Sequence, residues 1–78
     1  MSRDEVYEKL SEVFEDVFDK KINLSDEMTA ADVDGWDSLT HISLLSAVED
    51  EFDIKFDMKT VHGLKNVGEL VSLILELS

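Results

Sequence analysis

Ser38 is the residue in this chain best placed to do chemistry. The run Gly35-Trp36-Asp37-Ser38-Leu39 ends a polar, irregular stretch and opens a long amphipathic one. A serine at such a boundary has two uses. Its oxygen can cap the helix by accepting from the free N–H groups of the first turn. Or its hydroxyl can face outward, where a helix N-terminus favours an anion such as a phosphate group. Autonomous hydrolysis is a poor third. The nucleophile elbow G-x-S-x-G is broken, since Leu39 is followed by Thr40 rather than glycine, and no strand precedes the serine. His41 lies three residues on, on the same side of the helix, so a Ser–His contact is conceivable; a rim histidine is the plainer account. His62 reads most simply as a residue of a short helix.

Metal chemistry fares no better. The run Asp32-Val33-Asp34-Gly35 invites comparison with a calcium-binding loop. With Gly35 at loop position 6, however, Ala30 falls at position 1 and His41 at position 12, where acidic ligands are needed. Two histidines and no cysteine make a structural zinc site a poor reading, and they exclude a disulfide framework. Any thiol chemistry would need a cofactor to bring the sulfur.

The elements that must position Ser38 follow from periodicity. Ser2 with Glu5 is a capping-box signature, and Val6, Tyr7, Leu10, Val13, Phe14, Val17 and Phe18 make one apolar stripe, so a helix is expected over about 3–19. Residues 20–37 show no sustained period and read as a long loop, with Ile22, Leu24, Met28 and Val33 as pegs that dock it on the core. Residues 38–52 form the second helix, capped by Asp37 or Ser38, with Leu39, Ile42, Leu45, Val48 and Phe52 as its stripe and Leu44 and Ala47 widening it. Glu49, Asp50 and Glu51 crowd its far end and oppose the helix dipole there, so local stability does not explain them. Phe52, Ile54, Phe56 and Met58 alternate with Asp53, Lys55 and Asp57 as a strand would. No second run exists to pair with, so an extended linker anchored by Ile54 and Phe56 is the better reading. A short helix or turn near 58–63 ends around Gly63. Asn66 with Glu69 caps a last helix over about 67–77, striped by Val67, Leu70, Val71, Ile74 and Leu77, with Gly68 tolerated in its first turn. The fold class expected is all-α: a small bundle of three long helices plus one short helix, with a long loop between the first two, in a single domain over 1–78.

Composition narrows the partners. Asp and Glu number 19 against 7 Lys and Arg, a net charge of −12. Such a surface repels nucleic acid and anionic membranes, suits partners with basic patches, and favours a monomer by self-repulsion. No membrane span or signal sequence is apparent, so a cytoplasmic place is expected.

Asp37-Ser38-Leu39, opening a second helix after a long loop, resembles the phosphopantetheine site of acyl carrier proteins. The likeness runs through nearly the whole chain: the acidic small bundle, the long first loop, the stretch Leu45 to Phe52 with Glu49-Asp50-Glu51, the linker with Ile54 and Phe56, and the final amphipathic helix. The resemblance implies a free-standing carrier and not an enzyme. Ser38 would bear 4'-phosphopantetheine, donated from coenzyme A by a phosphopantetheinyl transferase, and the arm's thiol would hold acyl or related groups as thioesters. By the same resemblance Asp37 is the motif partner of the serine, Leu39 contacts partner enzymes or the arm, and Glu49, Asp50 and Glu51 meet basic patches. Those partners would be acyl-transferring, condensing or ligase enzymes. Trp36 either flanks the arm or packs the loop on the core. Thr40 and Ser43 replace acids common just after the family motif, and Trp36 replaces a small residue, which points away from housekeeping fatty-acid synthesis and toward a specialised lipid or polyketide pathway. The alternatives are an aminoacyl or peptidyl carrier, or a non-carrier acidic helical adaptor in which Ser38 only caps.

Overall fold

The computed structural model describes residues 1–57, 61 and 64–78. Among them run helix α1 (Arg3–Phe18), a 3-10 turn at Ala30–Asp32, helix α2 (Ser38–Phe52) and helix α3 (Val67–Leu77), with α1 packed against both α2 and α3. The short helix expected near 58–63, and His62 within it, lie outside the described residues. All three helices begin within a residue of where the periodicity places them. α1 starts because the Ser2 hydroxyl accepts from the Glu5 N–H at 3.2 Å. The Glu5 carboxylate meets the Ser2 hydroxyl at 3.3 Å, so only one half of the expected capping box forms. α1 and α2 end on Asp19 and Asp53, both left-handed at φ 56° and 54°. Aspartate enters that region more readily than most residues, which lets each helix stop without a glycine.

The core is built from Val6, Leu10, Val13 and Phe14 of α1, Leu44, Val48 and Phe52 of α2, and Val67, Leu70, Val71 and Ile74 of α3. Phe14 is fully buried; a side chain of its kind contributes about 1.5–3 kcal/mol by leaving water. Two stripes differ from expectation. Leu39 and Ile42, which the spacing assigns to the α2 stripe, stand 78% and 61% exposed, and Leu77 of α3 is also exposed. The buried register of α2 starts at Leu44. Ile54 and Phe56 lie half-buried against the core in a non-strand linker, as expected.

The long loop is a seated element. Val33 is buried, and Ile22, Leu24 and Met28 pack against the core. The loop also supplies carbonyls to the open end of α3: Val67 N–H donates to Met28 O at 2.8 Å and Gly68 N–H to Asp26 O at 3.0 Å. Those are orphan donors of a first turn, so the loop closes the helix as a cap would. Gly68 is therefore more than tolerated: a Cβ there would come within 2.9 Å of the Asp26 carbonyl oxygen and 3.1 Å of its Cα. The Asp26 carboxylate in turn takes the Arg3 guanidinium at 2.9 Å and the Tyr7 hydroxyl, tying the loop to α1.

Candidate functional site

The turn before α2 is shaped by Gly35, whose φ of +89° is one that residues with a side chain rarely adopt. No atom crowds the place its Cβ would take, so the backbone conformation alone calls for glycine. The turn delivers Asp37 to the N-cap. Its Oδ1 accepts from the Thr40 N–H at 2.9 Å and from the Thr40 hydroxyl at 3.0 Å. The Thr40 N–H, followed by the Thr40 hydroxyl, holds the Asp37 carboxyl below its usual value of 3.8. The sequence left Asp37 and Ser38 both eligible for the cap; the structure gives it to Asp37. Ser38 becomes the first residue of α2, exposed, one position inside the positive end of the helix.

Trp36 packs the loop on the core. It meets Phe14 edge-on at 5.3 Å and Phe18 at 5.9 Å, and it stacks on His41 at 6.0 Å. Its indole N–H donates to His41 Nδ1 at 3.0 Å. His41 is thus half-buried and engaged, occupying on the first turn of α2 the position that the buried stripe would fill. The contact also disposes of the Ser–His reading. A neutral imidazole whose Nδ1 accepts carries its proton on Nε2, so neither nitrogen offers a lone pair to a serine. No sequence signal distinguished this histidine, although Trp36 five residues before it was a hint.

Ser38, His41, Ile42, Leu45, Glu49, Phe56 and Val61 surround a groove of about 390 Å³, mostly apolar. Its floor comes from the side of α2 that bears Ser38: at about 100° per residue, Ile42, Leu45 and Glu49 fall within about 40° of Ser38. Leu39 and Asp50 lie about 100° and 120° round the helix from Ser38 in one sense and Glu51 about 140° in the other, all three exposed. Glu49 has a local duty the sequence did not show. Its carboxylate accepts from the Phe56 N–H at 2.8 Å, and its carbonyl from the Ile54 N–H at 3.1 Å, so it pins the linker to the end of α2. The reading that local stability leaves the acidic cluster unexplained is corrected for Glu49 and stands for Asp50. Among the described residues no group of side chains is arranged to hold a metal ion, and no helix is long and apolar enough to cross a membrane.

Residues 8–74 match the family described as phosphopantetheine attachment site. The chain is 36% identical over 74 residues to the acyl carrier protein of Streptococcus pyogenes, covering 94% of this chain and 96% of that one. It is 35% identical over 80 residues to the mitochondrial acyl carrier protein of Saccharomyces cerevisiae, covering 95% of this chain and 63% of the yeast protein's length. Among solved structures, the holo acyl carrier protein of Geobacter metallireducens superposes with a TM-score of 0.87 at 38% identity, covering 92% of this chain and 84% of that one.

Proposed function

The chain belongs to the phosphopantetheine attachment-site family of acyl carrier proteins, and from that premise we propose that Ser38 is the residue that takes the prosthetic group. The protein is a carrier and not an enzyme, and its cofactor is 4'-phosphopantetheine. When attached, the group supplies the thiol that a chain without cysteine lacks.

The observation that carries the proposal is the division of labour at the start of α2. Asp37 does the capping, which leaves the Ser38 hydroxyl exposed and without a structural duty. The adaptor reading, in which Ser38 only caps, thereby loses its physical basis. The residues also fit the group. A phosphodiester on Ser38 lies at the positive end of α2, and the apolar groove that begins at Ser38 can receive an alkyl portion of a cargo. Attachment forms an Oγ–P bond and breaks the pyrophosphate linkage of coenzyme A. With His41 Nδ1 held by Trp36, no base among the described residues is placed at Ser38, and a base of the transferase takes the hydroxyl proton.

Docking is assigned to the face beside Ser38. Leu39 supplies exposed apolar surface, Asp50 and Glu51 supply charge on the two flanks of that face, and Glu49 adds charge while holding the linker. The partners that fit are a phosphopantetheinyl transferase and acyl-transferring, condensing or ligase enzymes with basic patches, met by a monomer in the compartment that holds their coenzyme A, the cytoplasm. The apolar groove favours acyl over aminoacyl cargo, and Trp36, Thr40 and Ser43 favour a specialised lipid or polyketide pathway. The test is intact mass after incubation with coenzyme A and a broad-specificity transferase. Wild type should gain one phosphopantetheinyl group and Ser38→Ala none; a gain on Ser38→Ala refutes the assignment.

A further inference from the structure

Two spaces meet at one ring. The groove that begins at Ser38 and a smaller, mostly apolar cavity of about 70 Å³ both have His41 in their wall. The cavity's other walls include Ala30, Trp36, Leu64, Asn66 and Leu70. None of those borders the groove, so among the described residues the His41 ring stands between the two. The cavity is several times the volume of about 10–15 Å³ that admits a single water, enough to take the end of an alkyl chain. Helix geometry explains the arrangement. At about 100° per residue, His41 falls about 60° from Ser38, on the edge of the groove that turns toward Val48 and Leu44 and so toward the interior. The ring is held there. Trp36 donates to its Nδ1 at 3.0 Å and stacks on it at 6.0 Å, and Trp36 is itself braced edge-on by Phe14 at 5.3 Å. A small side chain at this position would leave groove and cavity joined.

We infer that His41 is a specificity-determining residue: held by Trp36, it ends the cargo space at the groove and limits the length of straight acyl chain that the carrier shelters. The inference rests on Ser38 being the attachment site, because an arm fixed there delivers its cargo to the mouth of this groove. The occupant is thus the acyl group on the chain's own arm. The effect depends on the place and size of the ring and not on its charge.

A broad-specificity transferase loads the full chain from straight-chain acyl coenzyme A thioesters, in an even-numbered series from acetyl to palmitoyl, and intact mass confirms each product. The thermal midpoint by circular dichroism, taken against the acetyl form of the same variant, reads how much of each chain is sheltered. Each methylene withdrawn from water should raise it by up to about 3–6 °C. In wild type the midpoint should climb with chain length and level off where the groove is full. His41→Ala should move the levelling point to longer chains by at least a carbon pair, and His41→Val, a milder truncation, should move it the same way. His41→Phe keeps a ring of similar size and should level off with wild type. Ala30→Leu fills the small cavity from the loop side. It should leave the wild-type profile unchanged and cancel the gain made by His41→Ala. The inference is overturned by a wild-type midpoint that never climbs, by a levelling point that stays put in folded His41→Ala or His41→Val, or by a longer profile in His41→Phe. A wild-type profile shortened by Ala30→Leu overturns it too, and that arm needs no change at His41, so the test stands even if the truncated variants do not fold. A wild-type chain that takes no acylated arm, or a Ser38→Ala chain that takes one, overturns the attachment site instead.

Discussion

Gly68→Ala separates two physical arguments by sign. Helix propensity alone says alanine should stabilise α3, by up to about 1 kcal/mol in a helix interior and less in a first turn. The structure says the reverse. The new Cβ would lie 2.9 Å from the Asp26 carbonyl oxygen, 3.0 Å from its Cβ and 3.1 Å from its Cα. Two of those three atoms are backbone, which cannot rotate aside, so the loop must back away from α3. Overpacking of this kind costs about 1–3 kcal/mol. The retreat also lengthens the bonds from Val67 N–H to Met28 O and from Gly68 N–H to Asp26 O, now 2.8 and 3.0 Å. Each is a net contribution of about 0.5–1.5 kcal/mol. The Arg3–Asp26 pair is exposed and adds little. The net expectation is destabilisation by about 1–3 kcal/mol, a lowering of the thermal midpoint by roughly 5–20 °C for a domain of this size. Circular dichroism during heating, repeated in urea, measures it. A variant as stable as wild type, or more so, would show that the loop is not seated on α3 as described.

Other outcomes follow from the same geometry. Ser38→Ala should lose modification while keeping its stability within about 0.5 kcal/mol, because Asp37 holds the cap; a large loss in urea would return the cap to Ser38. Asp37 has a folded value lowered by Thr40, so its share of stability is complete above its ordinary value of 3.8 and is lost as pH falls through the lowered one. Urea midpoints at neutral and acid pH should therefore fall less in Asp37→Asn than in wild type, and an equal fall would deny the linkage. Glu49→Ala should cost about 1–3 kcal/mol by stranding the Phe56 N–H. Asp50→Lys should leave stability alone and slow modification more at low salt than at high salt, and a salt-independent rate would remove it from the docking face.

The sequence disclosed the helices because each has a signal that local physics obeys. Ser2, Asp37 and Asn66 each accept from an N–H three residues on, and the apolar spacing of α1 persists for its whole length. The loop pegs were legible for the same reason, since Val33 and Met28 are apolar residues in a polar run and have to be buried somewhere. The contacts that hold the loop were not legible. Gly68 meets Asp26, Tyr7 meets Asp26, and Glu49 meets the Phe56 N–H. These pairings depend on how elements stack, and no spacing along the chain encodes them. The 3-10 turn at Ala30–Asp32 was missed because its closing interactions, Thr29 N–H to the Asp32 carboxylate and Asp32 N–H to the Thr29 carbonyl, need only a few residues and leave no period.

The misreading of α2 carries the functional lesson. Its apolar residues fall in two registers. Leu44, Val48 and Phe52 continue from His41 toward the core, while Leu39 and Ile42 continue from Ser38 toward water. A stripe drawn through both merges a packing surface with an exposed one. Folding requires only the first register, and its first-turn place is taken by a histidine tied to Trp36. Exposing two large apolar side chains beside a serine that caps nothing gains no fold stability, so their presence calls for something that covers them part of the time. On the proposed reading, an arm or cargo lying in the groove past Ile42 and an enzyme closing over Leu39 would be two such covers, and a carrier would alternate between them. If Ser38 is the attachment site, as proposed, the exposed register is where the chain's function departs from what its stability needs.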